Sequence, residues 1–216
     1  MAQIVDKLHY RFYIVGRGCT KQLRALLFNA GHQQTTRADI DSDAAIFYAK
    51  DEESSVAPLL YGAKAIAGVK MNLDLDRRWI EEYHNLGHTF PKIGIGRGAH
   101  FLNIMSGGSV WQKADNHTLP HDLKFFDTGE LIQAPSSHSQ LMTCGKHGTV
   151  VATANVSTKV EDDKDVINCS NPWSDDEVIY YEHTNSLCIE PHPEIQGYSA
   201  FSKKIVEIVE TAISPS

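Results

Sequence analysis

The stretch Ile93-Gly94-Ile95-Gly96-Arg97-Gly98-Ala99-His100-Phe101-Leu102-Asn103 restricts the folds open to this chain more than any other. A short apolar run, Lys92 to Ile95, enters a tight glycine turn and passes straight into a helical pattern of Phe101, Leu102 and Met105, closed by Gly107 and Gly108. Strand, sharp turn and helix in immediate succession is the geometry of a nucleophile elbow. Gly94 and Gly98 suit the sharp turn and the close packing it demands. The central residue projects at a helix N-terminus, where backbone amides and the helix dipole favour negative charge. An enzyme puts Ser or Cys at that centre, whereas this chain has Gly96, which has no side chain.

The surrounding sequence alternates strand and helix signals, an α/β pattern. Arg11 to Val15 and Ala44 to Tyr48 read as buried strands. Thr20 is placed to cap a helix carrying Leu23, Leu26 and Leu27 and ending at Gly31. A second helix carries Trp79, Ile80, Tyr83 and Leu86, with Gly87 and Pro91 as its stop. The second half is richer in strands: Leu123–Phe126, Val150–Ala154, Val178–Tyr181 and Leu187–Glu190, followed by a helix capped by Ser199 with Phe201, Ile205, Ile208 and Ala212 on one face. Asp51 to Asn72 has no clear period and reads as a long loop on the side of the site. At 216 residues the expectation is one domain, 1–216, with a core large enough to need no disulfide or metal staples.

The formal net charge of −7 gives no electrostatic footprint for nucleic acid. No apolar run approaches the roughly 18 residues of a membrane span, so no membrane partner is expected. The first ten residues carry Asp6, Lys7 and His9 where a signal peptide is apolar, which points to a cytoplasmic protein. Cys19, Cys144, Cys169 and Cys188 form no CxxC pair and read as reduced thiols. The eleven histidines are scattered, and Glu161-Asp162-Asp163 reads as a solvated loop, so neither a metal nor a cofactor is expected.

Pro191-His192-Pro193-Glu194 follows the last strand. With the prolines holding the chain extended, His192 and Glu194 can face one site, as a general base and the group that orients it. Taken with the elbow, this resembles the class I glutamine amidotransferases, in particular their γ-glutamyl hydrolase-like branch. Members read G-I-C-R-G-x-Q-x-x-N and then G-G-x-L-W-Q. Here the sequence runs Gly94 to Asn103, then Gly107-Gly108-Ser109-Val110-Trp111-Gln112. The family's N-S-x-H-x-Q is matched by Pro135-Ser136-Ser137-His138-Ser139-Gln140. Its Ile-Phe-x-Gly-Gly ahead of x-Leu-Tyr-Gly is matched by Ile46-Phe47-Tyr48-Ala49-Lys50 ahead of Leu59-Leu60-Tyr61-Gly62. The resemblance spans most of the chain. It implies a flavodoxin-like fold, with a central mostly parallel sheet flanked by helices, a β-rich second half, and the site at the strand C-termini.

It also implies site residues. In the family the elbow cysteine attacks a γ-carboxamide or γ-glutamyl amide, the histidine activates it and the glutamate holds the histidine. A Gly-Gly loop supplies oxyanion amides, and a glutamine holds substrate. Carried over, His192, Glu194 and Gly96 occupy the catalytic positions, and Arg97, Gly98, His100, Ser137, His138, Gln140, Ala49 and Lys50 the substrate-binding ones. Nucleophile, glycine pair and glutamine are all replaced, by Gly96, by Ala49 with Lys50, and by His100. Loss of one oxyanion donor alone lowers rate by about 10²–10³. The expectation is therefore a catalytically silent relative kept to bind a small amide- or carboxylate-bearing ligand or a protein partner, with a homo-oligomer open. Three alternatives stand beside it: a γ-glutamyl amide hydrolase using Cys19, Cys188 or water in the space beside Gly96, an engineered Cys-to-Gly form of an active enzyme, and a regulatory component of a synthase.

Overall fold

Apolar runs that alternate with amphipathic helices build a layered α/β structure. The computed structural model describes residues 9–16, 20–35, 42–49, 54–169 and 173–214. Strands β1 (Arg11–Val15), β2 (Gln33–Thr35), β3 (Ala44–Phe47) and β4 (Lys92–Ile95) alternate with helices α1 (Lys21–Ala30), α2 (Leu73–Leu86) and α3 (Arg97–Met105). The strands of the second half are β5 (Ser109–Trp111), β6 (Lys113–Ala114), β7 (His121–Phe125), β8 (Leu131–Ala134), β9 (Leu141–Thr143), β10 (Thr149–Ala154), β11 (Lys159–Glu161), β12 (Val166–Asn168), β13 (Asp175–Tyr181) and β14 (Ser186–Ile189). Helix α4 (Ala200–Ile213) follows them.

The large sheet runs β2-β1-β3-β4-β14-β13-β10-β7-β8, with β9 on β13 and β5 on β9. From β2 to β14 every pairing is parallel; from β14 outward every pairing is antiparallel. The last strand thus returns beside β4, with Ile189 opposite Ile95. Strands β12, β11 and β6 form a small separate sheet.

Alternation along the parallel strands sends side chains to both faces, and helices cover each. Ile46, Ile93, Ile95, Leu187 and Ile189 pack with Leu23, Leu26 and Leu27 of α1 and with Phe201 and Ile205 of α4. Ala45, Phe47 and Cys188 pack on the opposite face with Leu75, Trp79 and Tyr83 of α2 and with Phe101 and Leu102 of α3. The caps are those read from the sequence: the side chains of Thr20 and Ser199 accept from Leu23 N and Ser202 N, and Gly31 closes α1 in the left-handed conformation. Residues 54–72 are largely irregular, apart from a 3₁₀ turn at Pro58–Tyr61 and a bridge between Ser55 and Met71. No helix among the described residues is long and apolar enough to cross a membrane.

Candidate functional site

Parallel strands end on one edge, and β3, β4 and β14 deliver Tyr48, Gly96 and Glu190 there side by side. Gly96 has φ 57° and ψ −121°, a left-handed backbone that disfavours any side chain, and its N–H donates to Ile189 O at 2.9 Å. Its flanking glycines are steric necessities. A Cβ at Gly94 would overlap the Gly98 carbonyl, and one at Gly98 would overlap the Phe47 carbonyl. Gly98 does not line the cleft described below; it lets α3 start directly against β3.

The space beside Gly96 is not open, contrary to the expectation of room for a ligand or water. A Cβ at Gly96 would lie 2.6 Å from His192 Nε2 and 2.8 Å from its Cε1. The imidazole fills the volume a side chain would need. His192 Nδ1 donates to Glu194 Oε1 at 2.8 Å, and Tyr48 Oη donates to the same oxygen at 3.0 Å. Nδ1 holds its proton against Glu194 and Nε2 faces Gly96, the orientation a general base requires. Tyr48 escaped the sequence reading. The signal for it was its place at the end of the buried run Ala44 to Tyr48, on the edge that carries the elbow.

Around this pair lies a cleft of about 890 Å³. Ala49, Gly96, Arg97, His100, Ser137, His138, Gln140, His192 and Glu194 line it, so nearly all the residues carried over by motif meet in one place. Lys50 and Cys19 lie outside the described residues. Arg97 is a brace: it donates to Ser54 O, Ser55 O and Asp76 Oδ1, the last at 2.6 Å, and its guanidinium stacks over Trp79. Its Nη1 is buried with no hydrogen-bond partner. Gln140 Nε2 donates to Ser55 Oγ at 2.7 Å, tying the irregular 54–72 segment to the loop before β9. Among the described residues no thiol lines the cleft. Cys188 is fully buried in the α3-side core, and burial pushes its thiol well above the ordinary range.

Behind the elbow the wall is a polar network. His100 Nε2 donates to Glu190 Oε1 at 2.6 Å, and His138 Nδ1 lies 3.1 Å from the same oxygen. Burial alone would raise the Glu190 carboxyl, but His138 and His100 beside it bring it down to about 2. Deeper still, His117, His121 and His138 surround Glu177. Histidines that look scattered in the sequence therefore converge. The available signal was the spacing His117-x₃-His121, which is short enough for both to serve one site.

No protein-family model matches the sequence, and no curated protein matches it either. Solved structures do match in shape. A protein of Thermoplasma acidophilum provisionally assigned as part of a GMP synthase superposes with TM-score 0.60 at 16% identity, over 95% of this chain and 94% of that one. A glutamine amidotransferase of Thermotoga maritima gives 0.54 at 12% identity, over 94% and 84%. A chain of PurLQS from Thermotoga maritima gives 0.50 at 14% identity, over 95% and 98%. The fold is that of the class I glutamine amidotransferases, as the motifs implied.

Proposed function

We propose that this chain is a glutamine amidotransferase-like protein that has lost the acyl-enzyme chemistry and binds a small amide- or carboxylate-bearing ligand in the cleft beside the elbow. The observation that carries the reading is Gly96 itself: the elbow backbone is kept, no side chain projects from it, and the His192 ring occupies the vacated volume. An acyl transfer needs a nucleophile within reach of its base, and none of the three described thiols lies at the cleft. Binding capacity is retained. The amides of Arg97 and Gly98 open α3 without an intrahelical acceptor, whereas Ala99 N donates to Gly96 O, and Arg97, whose Nη1 has no hydrogen-bond partner, lines the cleft.

A second reading rests on the intact pair of His192 and Glu194, held further by Tyr48. Such a pair can activate a water for hydrolysis of a γ-glutamyl amide once a substrate moves the ring off Gly96.

The two are separated by measuring ammonia and glutamate release from glutamine and a panel of γ-glutamyl amides. The same panel, with small dicarboxylates added, is run by thermal shift. The binding reading expects no release above background and at least one ligand that raises the melting temperature. Release that disappears in His192→Ala overturns it in favour of hydrolysis. A Gly96→Cys variant run alongside shows whether the rest of the site still supports the chemistry.

A further inference from the structure

We infer that His117, His121, His138 and Glu177 form a tetrahedral zinc site in the wall behind the cleft. His117 comes from the segment before β7, His121 opens β7, His138 lies in the loop before β9, and Glu177 is on β13. One nitrogen of each histidine and one carboxylate oxygen all lie within 4.8 Å of one another. His117 Nδ1 is 3.1 Å and His121 Nε2 3.2 Å from Glu177 Oε1, and His138 Nε2 is 3.4 Å from Oε2. A tetrahedral zinc with bonds of about 2.0–2.1 Å places its ligand atoms about 3.3–3.4 Å apart. The three nitrogen-to-carboxylate distances are close to that spacing, and a small inward movement brings the four ligand atoms around a shared ion.

The outer nitrogens fix the tautomers. His121 Nδ1 donates to Leu119 O at 3.1 Å and His138 Nδ1 to Gln140 O at 2.8 Å. A carbonyl only accepts, so those nitrogens hold the protons. His117 Nε2 is 2.8 Å from Ser157 Oγ and 3.3 Å from Asp175 Oδ2, itself an acceptor from Val156 N and Ser157 N. Each ring therefore turns a lone pair inward, and its outer N–H is held as a metal-ligating histidine's is. Without a cation, three lone pairs would face a carboxylate. The three rings crowd around the one carboxylate, with centroids 4.6, 5.0 and 6.2 Å apart. His117 Nδ1, His138 Nε2 and Glu177 Oε2 are buried and without a hydrogen-bond partner.

Charge and access agree. Zinc with Glu177 carries one net positive charge, and Asp175, hydrogen-bonded to a ligand ring, offsets it. The side chains of His117 and Glu177 are fully buried, and those of His121 and His138 are 5% and 10% exposed. Four protein ligands close a tetrahedral site, so the ion serves as a structural tie. It joins β7, β13 and the loop that carries Ser137, His138 and Gln140 to the cleft. The site stands whether the cleft binds or hydrolyses its ligand.

The test is elemental analysis of the full chain as purified, then after chelation and after reloading with zinc, with cobalt(II) as a spectroscopic substitute. One zinc per chain, and the intense visible bands of four-coordinate cobalt, are expected. Chelation should lower the melting temperature, and zinc should restore it. Glu177→Gln and His121→Ala should each hold less than a tenth of the metal, while His84→Ala, at an exposed position of α2, holds it all. Wild-type chain that takes up neither zinc nor cobalt, and whose melting temperature ignores both, overturns the proposal without recourse to a variant.

Discussion

Gly96→Ala tests the elbow most directly, because it adds a single methyl where the structure has no room for one. Two terms add. A non-glycine residue at φ 57° and ψ −121° carries backbone strain of about 1–3 kcal/mol. The new Cβ also meets the His192 ring at 2.6 Å, and that ring is tethered to Glu194. Either the ring swings off its carboxylate, losing a charge-assisted hydrogen bond of about 1.5–3 kcal/mol, or the contact is relieved by distortion at about 1–3 kcal/mol. The sum is a loss of about 2–6 kcal/mol, read by urea unfolding at constant slope. The same substitution in a His192→Ala background removes the collision and leaves the strain, so the loss should fall to about 1–3 kcal/mol. Two results refute the reasoning in different places. A loss below about 0.5 kcal/mol denies the strained backbone. Equal losses with and without His192 deny that the ring occupies the volume beside Gly96.

Two further predictions follow from buried charges. Asp76→Ala strips the carboxylate from Arg97 while both side chains are nearly inaccessible, so unfolding stability should drop by about 3–5 kcal/mol; Arg97→Met with Asp76→Leu should lose much less, and equal losses would mean that the stranded charge is not the cause. Lys92 is 1% exposed, and burial lowers its ammonium from 10.5 to about 8 although it donates to Gly87 O, His88 O and Phe90 O. Below pH 8 the ammonium is buried and its penalty is fully present. Between 8 and 10.5 the unfolded chain binds the extra proton, so stability rises with pH. Relative to Lys92→Met, the chain should gain about 2 kcal/mol between pH 7.5 and 9.5, and parallel pH profiles of the two proteins would exclude it.

Local patterns were legible where one face of an element dictates its residues. The elbow could be read because glycine is the only residue that fits at positions 94 and 98, where carbonyls of Gly98 and Phe47 pass within contact of the α-carbon. The helix caps at Thr20 and Ser199 could be read because the hydroxyls satisfy amides three residues on. The short strands β2, β5, β6, β9, β11 and β12 could not, since two or three residues show no period and form only because a neighbour offers a ladder. The histidine cluster was hidden for a related reason. His121, His138 and Glu177 are brought together by the order of β7, β10 and β13 in the sheet, a long-range fact absent from any window of sequence. The site pair fell between these cases: the spacing of His192 and Glu194 was visible, but Tyr48 joins them only through strand register.

The return of β14 beside β4 also governs the order in which this molecule can be made. Residues 96–185 must leave the ribosome before the strand that completes the parallel sheet exists. At ~5–20 residues per second that interval is roughly 5–20 s. Throughout it β4, with Ile93 and Ile95, presents an open backbone edge beside an unfinished elbow, the kind of surface that pairs with other chains. His192 cannot reach Gly96 until the 95 residues that follow the elbow glycine have been synthesised, so a nascent chain has neither its finished sheet nor its site, and holding that edge apart from others falls to whatever binds nascent chains in the cell.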